Sequence, residues 1–220
     1  MTTVTPTLVE SPGWQRQAWR AGGALVAAAA AVLAIKFVGE HAFRFANWDA
    51  AHYGRYWSVR GWIALHVLGG LVALACGPFQ LWSGLKGRTA SAHRLRGRVY
   101  ALAVLVGSIG AVWIAVTSPA FPALGPPLIL LAAAWLATTG LAWAAIVRGD
   151  VTLHKELMIR SYVVTFAFVF FRFLVELPVL TQMSVPDRYA TIGWLCWTLP
   201  LLVTEVILQG RRIMRGAWAA

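Results

Sequence analysis

Charged residues are scarce in this sequence, and acidic residues are the scarcest of them. Of 220 residues, 12% are Asp, Glu, Lys or Arg, and only 8 are acidic. Together with a mean hydropathy of +0.67, this composition excludes an ordinary soluble globular protein. It is typical of a protein that crosses a membrane several times.

Cysteine and catalytic motifs are also lacking. The two cysteines, Cys76 and Cys196, fall inside apolar runs, which excludes a disulfide framework and a thiolate metal cluster. No nucleophile motif, phosphate-binding loop or paired-carboxylate site occurs, so soluble-enzyme chemistry is not indicated and electron transfer is the most that an enzymatic role would involve. Residues 1–13 are polar and do not resemble a cleavable signal peptide, so we expect the first apolar run to be retained.

Long apolar runs are what the sequence does contain. About 20 apolar residues cross a bilayer as a helix, and six such runs can be placed. They cover residues 21–38, 61–84, 97–117, 126–147, 157–178 and 190–209. Because the connections are short, the sequence predicts an all-α polytopic membrane protein, an antiparallel bundle of six transmembrane helices.

Basic residues are unevenly divided between the two predicted sides of the membrane. The N-terminus, the loops on its side and the C-terminus carry thirteen of the 19: Arg16, Arg20, Lys86, Arg88, Arg94, Arg96, Arg98, Arg148, Lys155, Arg160, Arg211, Arg212 and Arg215. The other side carries Lys36, Arg44, Arg55, Arg60, Arg172 and Arg188. The positive-inside rule therefore predicts a bacterial inner-membrane protein with both termini cytoplasmic. This asymmetry accounts for the net charge of +11 without a nucleic-acid partner.

The predicted organisation is a single membrane domain with short tails. Residues 1–20 form a cytoplasmic tail, 21–209 the transmembrane domain with its core at 61–178, and 210–220 a basic cytoplasmic tail.

An outward-facing segment at 39–60 is predicted to be an amphipathic interfacial helix. His41, Phe45, Trp48 and His52 fall on one helical face of it. Asp49 and His52 suggest a metal site, but an ordinary aromatic belt is the preferred interpretation because two ligands make a poor site.

A weak repeat draws attention to two histidines. "HRLRGRVY" begins at His93 and "HKELMIRSY" at His154, and both strings precede an apolar run that starts on the cytoplasmic side. If the hairpins formed by spans two plus three and four plus five are related, the two histidines are equivalent positions at one membrane face.

Polar residues inside the spans are functional-site candidates by default. In span five, a stripe of side chains lies within about 40° of one line along the helix. It comprises His154, Met158, Ser161, Thr165, Arg172 and Glu176. Arg172 and Glu176 are predicted to pair with each other, and Glu205 in span six is predicted to pair with a cytoplasmic-side arginine.

Spans two and three each present a face of small residues that begins at a histidine. The first face holds His66, Gly70, Ala73, Gly77 and Gln80, and the second holds His93, Gly97, Tyr100, Val104, Gly107 and Ala111. Such faces permit close helix packing. They also leave room for a flat prosthetic group, which we take as a modest indication of a cavity.

Haem b is the cofactor that this pattern favours. His93 and His154 would be the axial ligands of the haem iron, near the cytoplasmic face. His66 lies near the outer face, where span four offers no partner histidine, so one haem is favoured over two. Arg98 and Arg160, with Arg94 and Arg96, would bind the propionates, and Tyr100 would line the site.

Four strings carry a resemblance to a known family. "LHVLGGLVALACGPFQLW", "AHRLRGRVYALAVL", "LATTGLAWAAIVRGD" and "HKELMIRSYVVTFAFVFFR", within residues 61–209, resemble the bacterial membrane-protein family DUF2306, which has no assigned role. The histidines on several spans are also similar to those of di-haem b-type cytochromes. In that plan each of four core helices supplies a histidine, whereas here span four supplies none, so a complete pair carries over only to His93 and His154.

Two other functions stay open at this stage. One is a non-catalytic accessory or assembly subunit of a larger membrane complex of respiratory or photosynthetic type, or a homo-oligomer, with tryptophans as lateral contacts. The other is a transporter or proton relay that uses Arg172, Glu176, His154 and Glu205. Under either hypothesis the protein is embedded in the lipid bilayer.

Overall fold

The structure is a computed structural model that describes residues 28–42, 47–85, 91–117 and 120–217, together with Ala21 and Leu25. All regular secondary structure in these ranges is helical. The first helix, α1, covers residues 28–37 and continues into a π-helical turn at Val38–Ala42. The later helices are α2 (Ala50–Tyr53), α3 (Arg60–Leu85), α4 (Ser91–Thr117), α5 (Gly125–Val147), α6 (Val151–Thr165), α7 (Ala167–Val175) and α8 (Val185–Ala217).

Five helical segments of the described chain are long and apolar enough to cross a membrane. They are Ala50–Gly84, Ser91–Thr117, Pro122–Val147, Val151–Val175 and Val185–Ile213. The predicted all-α, polytopic membrane fold is therefore confirmed. The first predicted span, 21–38, lies partly outside the described residues, and its membrane crossing stays a prediction.

The core of the bundle is a ring of four helices. α3 packs against α4, α4 against α5, α5 against α6, and α6 closes the ring against α3. α8 lies outside this ring against α5, α6 and α7. Because the four helices run alternately up and down, α4 and α6 begin at the same end of the bundle and lie diagonally across it.

Small residues hold α3 and α4 together. A Cβ atom on Gly69 would lie 2.7 Å from the carbonyl oxygen of Ala103 and from the amide nitrogen of Gly107, and one on Gly110 would lie 2.6 Å from the carbonyl oxygen of Trp62. Such backbone contacts are the ordinary use of glycine between membrane helices. Close packing therefore accounts for Gly69, Gly107 and Gly110, and at Gly77 the ring of Tyr162 occupies the space.

The predicted fifth span is divided into two helices. α6 ends at Thr165 and α7 begins at Ala167, with Phe166 between them. The Thr165 hydroxyl donates a hydrogen bond of 2.9 Å to the carbonyl oxygen of Ser161, and this back-bonding to residue i−4 commonly bends a helix. The polar stripe is thus not carried by one straight helix.

The segment 39–60 is not one interfacial helix where it is described. The short α2 is followed by a 3₁₀ segment, Gly54–Val59, which leads directly into α3. The rings of Trp48, Tyr53 and Trp57 pack edge-to-face, which fits the aromatic-belt interpretation. The side chains of His41 and Phe45 lie outside the described part of the chain.

Candidate functional site

A cavity of about 500 Å³ lies inside the four-helix ring, at the end where α3 and α5 finish and α4 and α6 begin. We call this the arginine-rich end. The wall is mostly apolar and includes Leu81, Trp143, Ile146, Val147, Met158 and Ile159. Trp143 and Val147 are exposed on the outside of the bundle, so the cavity borders the lipid-facing surface of α5.

Five of the predicted site residues meet at this cavity. They are Gln80, His93, Arg98, Tyr100 and His154. They come from three helices and are spread over 75 positions of sequence, so only the ring arrangement of α3, α4 and α6 brings them together. His66, Arg160, Arg172, Glu176 and Glu205 are not among the lining residues.

His154 is fixed by the turn between α5 and α6. Gly149 adopts a left-handed backbone conformation with φ 81°, and Asp150 caps α6 by accepting a hydrogen bond from the amide of Leu153 at 2.9 Å. The imidazole Nδ1 of His154 donates to the carbonyl oxygen of Ala142 at 2.8 Å. This leaves Nε2 as the nitrogen available to a ligand.

His93 is held by the last turn of α3. The Ser83 hydroxyl lies 2.7 Å from Nδ1 of His93, and the Gln80 amide nitrogen donates to the backbone carbonyl of His93 at 2.9 Å. Ser83 is the residue that the sequence reasoning missed. It lies three positions after Gln80 on the same face of α3, and that shared polar face was the available signal.

Gln80 brings an unsatisfied acceptor to the site. Its side chain is 6% exposed, and its Oε1 atom has no hydrogen-bond partner among the described residues. Glycine at residue 97 leaves room for the amide in this position, since a Cβ there would lie 2.7 Å from Nε2 of Gln80. A buried acceptor without a partner is costly unless a ligand or water satisfies it.

Below the cavity, the Tyr100 hydroxyl enters a buried polar network. It lies 2.8 Å from the hydroxyls of Ser161 and Thr165. Trp135 donates to Thr165 at 2.9 Å, and Thr139 lies 2.7 Å from Ser161. Thr139 and Thr165 each donate their hydroxyl proton to a backbone carbonyl. Ser161 must therefore donate its proton to Thr139. The Tyr100 hydroxyl is then the donor toward Ser161 and Thr165. This network joins α4, α5 and α6.

The cations divide into two groups. Arg94, Arg98 and Lys155 line the cavity. Arg160 instead donates to the Glu205 carboxylate at 2.7 and 2.9 Å. Its predicted propionate-binding role is therefore not supported by its position, whereas the predicted pairing of Glu205 with an arginine of this end is confirmed.

Glu156 extends that ion-pair group. Its carboxylate lies 3.6 Å from Arg160 and 2.7 Å from Arg212. The network ties α6 to α8 beside the cavity rather than inside it.

His66 lies between α3 and α4, where it is partly buried. Its Nδ1 donates to the carbonyl oxygen of Gly107 at 2.9 Å, within the tight contact between α3 and α4. His66 is not among the residues that line the described cavity.

Glu176 and Arg172 lie toward the opposite end of the bundle. Their pairing with each other stays a prediction. The Glu176 carboxylate forms an ion pair with Lys36 of α1, at 2.9 Å. The Arg172 guanidinium lies over the ring of Phe168, 5.4 Å from its centroid. Glu176 thus connects α1 to the main bundle.

Asp49 and His52 form a helix cap. The Asp49 carboxylate accepts from the backbone amide of His52 at 2.9 Å and lies 2.6 Å from Nδ1 of that residue. The amide hydrogen bond is the main reason why the pKa of Asp49 lies below its ordinary value. Across the described chain, no three His, Cys, Asp or Glu side chains converge as they would around a bare metal ion.

These features define the class of protein: a polytopic helical membrane protein with a polar-lined cavity at one end of a four-helix ring. The chain belongs to the DUF2306 family, described as a predicted membrane protein, which it matches over residues 63–208. Comparison with curated proteins and with solved structures gave no match. The likeness to b-type cytochromes therefore finds no support in these comparisons.

Proposed function

We propose that this protein binds haem b in the cavity and transfers electrons in the membrane, with His93 and His154 as the axial ligands. One observation carries the proposal. Both imidazoles line the same cavity, and both have Nδ1 bonded within the chain while Nε2 is left for a ligand. A histidine that binds a metal through one ring nitrogen usually has its other ring nitrogen held by a hydrogen bond.

The residues around the two histidines suit a haem. The volume of about 500 Å³ is within the range of cofactor pockets, and the mostly apolar wall matches a macrocycle. Arg94, Arg98 and Lys155 supply positive charge at the rim, where two carboxylates would bind. A haem iron needs only two protein ligands, so the absence of a larger ligand cluster in the described chain is compatible with it. When bound, haem supplies one-electron chemistry.

The proposed location is the inner membrane of a bacterium, with the arginine-rich end in the cytoplasm. Arg94, Arg96, Arg98, Arg148 and Lys155 all lie at the ends of helices that meet there. The positive-inside rule places such an end on the cytoplasmic side. The proposed haem would then lie near the cytoplasmic face.

The decisive experiment is an absorption spectrum of the purified protein, oxidised and after reduction with dithionite. We expect a Soret band that shifts on reduction, and we expect His93→Ala or His154→Ala to abolish the bis-histidine spectrum. His66→Ala is the matched control, because His66 is bonded to Gly107 between α3 and α4 and does not line the cavity, and it should leave the spectrum unchanged. Absence of a Soret band after expression with added haem precursor would reject the proposal.

The other hypotheses stay predictions. No contact within this single chain bears on an accessory-subunit role or on a homo-oligomer. For the transporter and proton-relay hypothesis, the structure adds that Glu205 forms an ion pair with Arg160.

A further inference from the structure

The two histidines of the cavity are held by chemically different partners. Nδ1 of His154 meets the backbone carbonyl of Ala142, which can only accept a hydrogen bond. A neutral His154 therefore always carries its proton on Nδ1, and its Nε2 is always a lone-pair donor to a ligand. No rearrangement of protons changes this while the contact lasts.

Nδ1 of His93 meets a hydroxyl, which can accept or donate. In one arrangement the Ser83 proton goes to the carbonyl oxygen of Phe79, 2.7 Å away, and Ser83 accepts from Nδ1–H of His93. In the other, Ser83 donates to Nδ1 and the proton of His93 moves to Nε2. The hydroxyl thus permits both tautomers of this ring.

We propose that Ser83 is a positioning residue that makes the pair asymmetric, with His154 as the fixed ligand and His93 as the adaptable one. With Ser83 bonded to Phe79, both Nε2 atoms present lone pairs and suit a metal. With Ser83 turned toward His93, the cavity presents one donor and one acceptor and suits an organic ligand. The consequence for iron rests on the proposed function, whereas the asymmetry of the two rings does not.

Gln80 allows the role of Ser83 to be isolated. Its bond of 2.9 Å to the backbone carbonyl of His93 anchors the start of α4 independently of the serine. Ser83→Ala should therefore change where the proton of His93 lies while the backbone stays in place. Ser83→Thr keeps a hydroxyl with the same helical back-bond and should behave as the unmodified protein does.

The first test uses the protein purified in detergent without haem, with ¹⁵N-labelled histidine. We expect His93 to favour the Nδ1–H form and to shift toward the Nε2–H form in Ser83→Ala, with recovery in Ser83→Thr. His154 should keep the Nδ1–H form in every variant. The control is Ser108→Ala, which removes a fully buried hydroxyl that has no partner among the described residues.

The second test is haem affinity. Loss of an outer-shell partner commonly weakens metal binding by about 10-fold to 100-fold, so Ser83→Ala should lower haem affinity by about 10-fold or more, and Ser83→Thr should restore it. If the unmodified protein binds no haem, the proposed function fails, and the histidine spectra still decide the asymmetry. His93 signals unchanged in Ser83→Ala, or His154 in the Nε2–H form, would overturn the inference.

Discussion

At the scale of single residues, the site depends on a few polar atoms placed by α3. The Ser83 hydroxyl and the Gln80 amide both reach His93 from the last turns of that helix. For Gln80 this depends on Gly97, because a Cβ at that position would lie 2.7 Å from the Gln80 amide nitrogen. A glycine in the middle of a helix costs stability, so its presence here has a packing reason.

Gly97→Ala is therefore expected to destabilise the protein. The new Cβ would lie 2.7 Å from Nε2 of Gln80 and would displace the amide from the carbonyl oxygen of His93. Leaving that buried donor unpaired costs about 1–3 kcal/mol, which exceeds the gain of about 0.5–1 kcal/mol for alanine over glycine in a helix. The net loss should be about 1 kcal/mol, measured by reversible unfolding in detergent.

Gly140→Ala is the matched control for that change. Gly140 is also inside a helix, and nothing lies within 4 Å of a Cβ built there. It should gain about 0.5–1 kcal/mol from reduced backbone entropy of the unfolded chain. Equal stabilisation by both substitutions would show that the Gln80 contact contributes nothing.

At the scale of helices, hydropathy predicted some boundaries closely and others poorly, for physical reasons. Span two was predicted at 61–84 and α3 covers Arg60–Leu85, because polar residues flank a single apolar run. Span three was predicted from 97, whereas α4 starts at Ser91. A helix continues through polar residues once it leaves the bilayer, and a hydropathy window does not detect that.

The site could be predicted only in part for a similar reason. The repeat around His93 and His154 indicated that the two histidines lie at one end of the bundle, and they do line one cavity. The partners of Ser83 and Trp135 lie on other helices. Periodicity within one helix can place Ser83 on the polar face of Gln80, but it cannot show which residue of the next helix that face meets. The division of span five at Phe166 is likewise a local feature that composition does not reveal.

The cap of α2 gives a prediction about pH. The pKa of Asp49 lies below its ordinary 3.8, mainly because its carboxylate accepts from the amide of His52. Because the pKa of Asp49 is lower in the folded state, the cap contributes its full stability at any pH above the pKa of the unfolded state. That stability is lost as pH falls through the pKa of the folded state. Protection of the His52 amide from hydrogen exchange, measured relative to an unprotected amide at the same pH, should therefore fall only below about pH 3.8.

Asp49→Asn separates the charge from the hydrogen bond. Asparagine caps helices about as well as aspartate but does not titrate, so protection of the His52 amide should no longer depend on pH. Asp49→Ala should lose the protection at every pH. If the unmodified protein and Asp49→Asn respond to acid identically, the titration of this carboxylate has no part in the cap.

At the scale of the whole molecule, the two ends of the bundle differ in charge and in contents. The cavity, the two histidines and the Arg160 network lie at one end, while the aromatic cluster of Trp48, Tyr53 and Trp57 precedes α3 at the other. Since charge asymmetry sets the orientation of a membrane protein, the same arginines that surround the cavity also determine which side of the membrane the cavity faces.

The orientation can be tested with single added cysteines. Ser91 begins α4 at the arginine-rich end, and Thr181 lies in the 3₁₀ segment Pro178–Gln182 at the opposite end; both are exposed. In intact spheroplasts, a membrane-impermeant maleimide should label Thr181→Cys and should label Ser91→Cys only after permeabilisation. The unmodified protein is the background control, because Cys76 and Cys196 lie within spans. The reverse labelling pattern would place the cavity at the outer face of the membrane.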